Sequence, residues 1–179
     1  MFSYLARPLL LVLLLLLNLV PAAAKAAESP YFGGGHAATF TAGLEKQLGG
    51  PVEAVWIIFY ESYAVAMVQD PKNEARILEL EERDGKWQNP RPADEKYVPK
   101  PVETMRFRPS DFAPATIPSL VNEARVKLGP GKLLSVSVKR DHNDPARPLR
   151  ITVSLLTDAG DLGTLVADPA GQVLTVGKE

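Results

Sequence analysis

The sequence contains few side chains whose type and spacing could support catalysis. It has two histidines, His36 and His142, and no cysteine. His142 lies between Asp141 and Asp144, but a zinc site needs three or four ligands at compatible spacing. The same loop lacks the glycine and the terminal glutamate of a calcium-binding loop. We therefore expect no metal and no cofactor, and we interpret both histidines as solvated loop residues.

Nucleophile motifs are also absent from the sequence. Neither G-x-S-x-G nor S-x-x-K occurs, and Ser119 and Ser135 have no histidine close to them in sequence. A triad assembled in space stays open, because its members need not be adjacent in the chain. The prediction is a protein without catalytic residues.

Two groups of charged residues could serve a function. The carboxylates are Glu79, Glu81, Glu82 and Asp84, and the basic cluster is Lys139, Arg140, Arg147 and Arg150. The carboxylates could supply a general acid and base, but they are typical of the solvated face of an antiparallel strand. The basic cluster surrounds the loop 141–148, where it could meet an acidic partner or only keep the loop soluble.

Aromatic residues in the stretch Val52–Val68 give the strongest functional signal. In an extended strand Trp56, Ile58 and Tyr60 share one face, and Val55, Ile57 and Phe59 share the other. Both faces are apolar, so either this is a central strand with both faces covered or one face is exposed for binding. In the binding interpretation the candidate anchors are Trp56, Tyr60, Tyr63 and Met67, since aromatic residues and methionine are enriched at interface cores.

The elements that would carry these residues follow from local patterns. Phe40, Leu44 and Leu48 recur at helical spacing, which predicts a helix from about Thr39 to Leu48. The β-branched and aromatic content of residues 52–68 favours two strands with a turn at Glu61-Ser62. A further strand is expected around residues 77–82, closed by the tight-turn pair Asp84-Gly85.

The second half of the chain has a similar order. Ile117, Val121, Ala124 and Leu128 predict one apolar helix face, with Thr116 as its N-cap. "KLLSVSVKR" and "LRITVSLLT" alternate with the period of half-buried strands, and "GTLVADPAGQVLTV" predicts a hairpin. Between the halves, seven prolines in residues 90–118 predict a linker, in which Val102–Phe107 could form a short edge strand.

These patterns predict an α+β fold of two tandem repeats, each a helix packed on a three- or four-stranded antiparallel sheet. The expected boundaries are a flexible segment at 27–37, a first repeat at 38–89, a proline-rich linker at 90–112 and a second repeat at 113–179. The segments "LGGPVEAVWIIFYE", "LGPGKLLSVSVKR" and "ADPAGQVLTV" make residues 38–88 and 113–177 resemble the PepSY and beta-lactamase-inhibitor-protein-like envelope modules. That resemblance implies a helix laid on a curved sheet and a role in binding or inhibition.

The N-terminus indicates export. Arg7 precedes a run from Pro8 to Val20 that is apolar except for Asn18, and small residues follow it, as in a cleaved secretory signal at residues 1–26. The apolar run is shorter than the stretch of about 20 residues that spans a membrane. We therefore expect the protein in the periplasm or the extracellular space, with no membrane span after cleavage.

The sequence thus predicts an exported, non-enzymatic protein that binds another envelope protein or peptide through its sheet face. The alternative is a carrier or chaperone for an apolar small molecule or lipid held between helix and sheet. A formal net charge of −1 gives the chain no electrostatic reason to bind nucleic acid. The pattern leaves the oligomeric state and the identity of the partner open.

Overall fold

The computed structural model describes residues 29–178, so the predicted signal peptide lies outside the described residues. Within this range the chain forms two α-helices, α1 (Gly34–Leu48) and α2 (Ile117–Leu128). The strands of the first half are β1 (Ala54–Phe59), β2 (Tyr63–Asp70), β3 (Asn73–Arg83), β4 (Lys86–Trp87) and β5 (Arg91–Pro92). Those of the second half are β6 (Gly131–Arg140), β7 (Leu149–Thr157), β8 (Leu162–Ala167) and β9 (Val173–Lys178). In the described part of the chain, neither helix has the length and apolarity that crossing a bilayer requires.

The strands form one antiparallel sheet in the order β4-β3-β2-β1-β6-β7-β8-β9, with β5 also paired to β3. The predicted α+β class is confirmed. The sequence predicted a separate sheet for each half, but β1 and β6 pair with each other and join all strands into a single sheet. Ile57 lies opposite Val138 in this central pair, which we call the seam. Both residues are apolar and fully buried, so pairing the two strands covers an edge that neither half covers alone.

Helix α1 begins five residues before its predicted start and follows a buried turn. Tyr31 and Phe32 lie in a 3₁₀ turn and are 3% and 2% exposed. Because these two aromatic side chains are packed in the core, the part of segment 27–37 that the structure describes is ordered, in contrast to the predicted flexible segment. The helix ends as expected at Gly49, whose φ of 75° is the left-handed conformation that glycine adopts readily.

Helix α2 buries the predicted apolar face. Ile117, Val121, Ala124 and Leu128 are all buried. Thr116 occupies the N-cap position, but its hydroxyl does not cap the helix. It donates instead to the carbonyl of Ala113 at 2.7 Å, because residues 114–116 form a 3₁₀ turn that leads directly into the helix.

Both helices pack on the same face of the sheet, which we call the helix face. The inward side chains alternate along each strand, as a period of two requires. Fully buried members of this core are Phe40 and Leu44 of α1, Leu120 of α2, and Ile57, Phe59, Leu80, Ile151 and Leu165 of the sheet. The other side of the sheet, which we call the outer face, carries no helix in the described part of the chain.

A β-bulge changes the predicted facing of one residue on β1. Ala54 pairs with Val68 and Trp56 pairs with Met67, so Val55 is an extra residue without a partner in β2. Val55 therefore packs on the outer face, in a cluster with Met67 that Trp56 also contacts. The prediction that Val55 shares a face with Ile57 and Phe59 is wrong, because a strict period of two does not account for an inserted residue.

The proline-rich segment 90–112 covers part of the outer face. Met105 is 4% exposed and packs on Val55 and Met67, with Val98 and Val102 beside them. The predicted edge strand at 102–107 is not formed. Residues 102–104 form a 3₁₀ turn, and only Phe107 pairs with the sheet, through two backbone hydrogen bonds to Ala54 at 2.8 and 2.9 Å.

Candidate binding groove on the outer face

A groove of about 600 Å³ lies on the outer face, beside the proline-rich segment. Its floor consists of Trp56, Ile58, Tyr60, Tyr63 and Val65. Val65 is buried, whereas the other four side chains are only partly buried. These side chains meet because Trp56 and Ile58 alternate outward on β1, with Tyr60 directly after it, and because β2 returns alongside in register, with Ile58 opposite Val65. The groove thus has an apolar floor that the protein does not fully cover.

Two tyrosines form one end of the floor. Their rings stack with centroids 4.5 Å apart, at the hairpin where the Tyr60 N–H donates to the Tyr63 carbonyl at 2.9 Å. The predicted turn at Glu61-Ser62 is confirmed at this hairpin. Burial raises the pKa of Tyr60 above its ordinary value, with smaller contributions from Tyr63 and Glu79. The guanidinium of Arg83 lies over the Tyr63 ring, 4.3 Å from its centroid, where a cation is attracted by the ring face.

The wall on β3 and β5 carries charges that neutralise one another. Arg91 Nε donates to Glu79 Oε1 at 3.1 Å, and Arg83 Nη2 lies 3.0 Å from Glu81 Oε1. Glu79, through a hydrogen bond and its charge, raises the pKa of Arg91. Glu79 and Glu81 face outward, as predicted from the alternation of β3. The carboxylates of this wall are thus already paired with arginines.

The wall on β6 carries cations without carboxylate partners. Lys139 lies opposite Trp56 across the seam, and Arg140 and His142 follow it in the chain. Arg140 donates from Nε to the Arg106 carbonyl at 2.8 Å and from Nη1 to the Arg147 carbonyl at 3.0 Å. Among residues 29–178, no Asp or Glu oxygen is recorded within 4.0 Å of the cationic nitrogens of Lys139 or Arg140. The two walls therefore differ in their uncompensated charge.

Three of the four predicted anchors lie in the groove. Trp56, Tyr60 and Tyr63 line it, and each is partly buried. Met67 shares their face but is fully buried under Met105 of the proline-rich segment. The structure therefore places Met67 in the packing that supports the groove rather than on its surface.

The structure also brings together three residues that the sequence analysis did not connect. On the helix face, Glu82 accepts a hydrogen bond from the Tyr31 hydroxyl at 3.4 Å and lies 2.9 Å from His36 Nε2. Burial raises the pKa of Tyr31, and the nearby Glu82 adds to the effect. Because the carboxylate has two polar partners, this cluster is best explained as an anchor that fixes the start of α1 on β3.

Two predictions are wrong at this cluster. Glu82 is 4% exposed rather than solvated, because it has the same parity on β3 as the inward-facing Leu78 and Leu80. His36 lies in the first turn of α1 rather than in a loop, and it is bonded to Glu82. The sequence could have shown the burial of Glu82, because Glu82 has the same parity on β3 as the apolar Leu78 and Leu80. His142 is exposed at the rim of the groove.

Residues 29–178 contain no group of three His, Asp or Glu side chains placed to hold a metal ion. No family model matches the chain, and neither a curated protein nor a solved structure matches it.

Proposed function

We propose that this chain is an exported, non-enzymatic binding protein that holds a peptide segment of another envelope protein in the groove. The observation that carries the proposal is the partly uncovered apolar floor formed by Trp56, Ile58, Tyr60 and Tyr63. Tryptophan and tyrosine on a pre-formed sheet supply large contact areas with few rotatable bonds, which is typical of interface hot spots. The role could be inhibitory or scaffolding.

We also propose that the two halves are tandem copies of one helix-and-four-strand unit. Two features support this. The first strand of each half carries a register shift near its start, at Val55 in β1 and at Leu134 in β6. The fourth strand of each half places an apolar residue, Trp87 in β4 and Val173 in β9, against the helix-face core. The resemblance to PepSY and beta-lactamase-inhibitor-protein-like modules belongs to this proposal, and so does the binding role that it implies.

The carrier alternative has less support. It requires space for an apolar ligand between helix and sheet. The side chains there, among them Phe40, Leu44, Ile57 and Phe59, are fully buried against one another. The groove lies instead on the outer face, where it opens beside charged and hydroxyl side chains.

Site-specific photo-crosslinking in the producing cells tests the proposal. A benzophenone amino acid is placed at Ser137, a partly buried residue of the β6 wall, and at Val126, which is 76% exposed on α2. The expected result is a discrete protein adduct from Ser137, absent from Val126, and reduced when Trp56→Ala is added. The absence of an adduct from Ser137, or equal adducts from both positions, would overturn the proposal.

Folding of the variants is checked first by circular dichroism and thermal melting. Because Trp56 is partly buried, Tyr60→Ala serves as a second variant with a different position in the floor. If both variants fold and the adduct is unchanged in both, the floor is not the binding surface.

A further inference from the structure

We propose that the segment bound in the groove is acidic, with its carboxylate beside Lys139 and an apolar side chain on Trp56 and Ile58. This inference rests on the proposed function and assigns the chemistry of the partner. It comes from the charge difference between the two walls, which the aromatic floor alone does not determine.

The two walls of the groove present different charges to a ligand. On the β3 wall each carboxylate has an arginine partner, Glu79 with Arg91 and Glu81 with Arg83. On the β6 wall Lys139 is exposed and has no carboxylate partner among the described residues. A ligand on the floor therefore meets a neutralised wall on one side and an uncompensated positive charge on the other, which favours an anion at the β6 wall.

Hydrogen bonds hold the charged group of Arg140 in place. Two of its nitrogens donate to the carbonyls of Arg106 and Arg147, and these bonds leave the positive charge uncompensated. Arg147 Nη1 and Arg106 Nε are buried with no hydrogen-bond partner in the described part of the chain. Arg106 is also paired with Glu53 at 3.2 Å, so its charge is balanced. Residues 139–147 thus carry three cations, Lys139, Arg140 and Arg147, against two carboxylates.

The neighbouring loop carboxylates do not remove this charge by direct pairing. Asp141 accepts a hydrogen bond from the Asn143 N–H at 2.9 Å, and Asp144 accepts one from the Ala146 N–H at 2.8 Å. Both are engaged by their own backbone rather than by Lys139 or Arg140. An incoming carboxylate can therefore use these cations without displacing an internal ion pair.

The hydroxyl side chains beside the cations indicate which kind of anion fits the groove. The groove wall carries the hydroxyls of Ser135 and Ser137, and the outer face continues over β7 and β8 with the partly buried Thr152, Ser154 and Thr164. A chain seated on Trp56 can therefore continue along a polar surface that offers hydrogen bonds. A whole chain with a net charge of −1 is not suited to a polyanion such as nucleic acid. These features favour an acidic peptide.

The test selects binding peptides and compares each acidic peptide with a neutral version of itself. Peptides are selected from a random display library on the full exported protein, synthesised, and compared with versions in which Glu and Asp are replaced by Gln and Asn. Isothermal titration calorimetry is expected to show binding of the acidic peptides and a loss of up to about fivefold for each neutralised contact, as for an exposed ion pair. Higher salt should weaken acidic peptides more than their neutral versions.

Variants of the protein test whether the preference for acidic peptides depends on Lys139. Lys139→Glu should weaken the acidic peptides, and Lys139→Gln should weaken them less, whereas Lys46→Glu on the exposed surface of α1 should not change binding. Equal effects of the Lys139 and Lys46 variants would overturn the inference, since they would indicate only the overall charge. Selection of neutral or basic peptides that depend on Trp56 would overturn the inference and leave the proposed function intact.

Other ligand classes are tested in parallel. Phosphatidylglycerol vesicles and a single-stranded oligonucleotide are titrated against the same protein. Binding of either probe that requires Lys139, without binding of any acidic peptide, would overturn the peptide assignment. If no peptide is selected and no crosslink forms from Ser137, the proposed function itself fails.

Discussion

The outer face of the sheet differs on the two sides of the seam. On β1 and β2 its residues include the apolar Trp56, Ile58, Val65 and Met67, whereas on β6 and β7 they include the polar Ser135, Ser137, Thr152 and Ser154. The proline-rich segment packs on Met67 and Trp56 of the first group, and the second group stays partly exposed. The same antiparallel backbone therefore carries an apolar outer face on one side, which the proline-rich segment partly covers, and an open face with hydroxyl side chains on the other. Removing apolar area from water is favourable, which explains why the segment packs on the apolar side.

The helix face shows a second contrast between the two sides. On the first side, Gly43 of α1 lies against the ring of Trp87, where an added Cβ would come within 2.6 Å of Cζ2. On the second side the glycine is in the strand, and a Cβ on Gly163 would lie 3.1 Å from the methyl groups of Leu128. Close approach of helix and sheet thus depends on a missing side chain in the helix in one case and in the strand in the other.

The largest effect is expected from Met67→Ala. Met67 is fully buried beneath the proline-rich segment, so its truncation should lower the free energy of unfolding by about 2–5 kcal/mol. The matched control is Thr152→Ala on the open side, which should stay within about 0.5 kcal/mol of the wild type. Urea denaturation measures both, and equal losses would remove the contrast between the two sides.

The second effect concerns the glycine contrast. Gly43→Ala should destabilise the protein by about 1–3 kcal/mol, because the new methyl group overlaps the Trp87 ring. Gly163→Ala should destabilise it less, because its neighbour is at a longer distance. Gly35→Ala in the first turn of α1 meets no atom within 4 Å and should be neutral or stabilising. Thermal unfolding of the three variants checks this order, and a stabilising Gly43→Ala would contradict the described packing.

A smaller effect is expected at the paired wall of the groove. Arg91→Ala removes the exposed cross-strand pair with Glu79 and should lower stability by less than about 1 kcal/mol. The difference should shrink at high salt, since exposed charges are screened. Lys127→Ala, which removes the pair with Glu123 on α2, is the control. A loss above about 2 kcal/mol for Arg91→Ala would mean that the pair is not simply a surface contact.

The smallest effect is expected at alkaline pH and belongs to the aromatic side. Tyr60 has a raised pKa in the folded protein, chiefly through burial. Its contribution to stability is complete below the unfolded value of about 10 and is lost as the pH rises through the folded value, because the unfolded chain releases the proton first. Tyr60→Phe should therefore make stability fall less steeply above about pH 10. An unchanged slope in denaturant unfolding would contradict this, and Tyr31 accounts for a remaining slope.

Local patterns predicted the elements well and their assembly poorly. The apolar face of α2 and the alternation of β6 and β7 depend on near neighbours in the chain, so the sequence was sufficient to place them. The pairing of Ile57 with Val138 depends on residues far apart, and no local pattern indicates it. The bulge at Val55 inserts one residue and reverses the expected facing.

In the candidate site, too, the features set by local sequence were predicted and those set by distant residues were not. Trp56, Tyr60 and Tyr63 were predicted from residue type and strand parity, and the structure places them in the groove. Met67 fits the same pattern, but a segment remote in sequence buries it, which parity cannot predict. The charge difference between the walls also depends on which arginines reach which carboxylates, and only the folded arrangement determines this.

The seam has a consequence for the order of folding. Every other strand pair in the sheet joins strands that follow closely in the chain, whereas the pairing of β1 with β6 closes a loop that includes the proline-rich segment and α2. Long-range closure has an entropic barrier that local hairpins avoid, so we expect the seam to form late. Trp56 and Lys139 meet only across this pair. A partner that needs both residues would therefore recognise only chains that have completed folding.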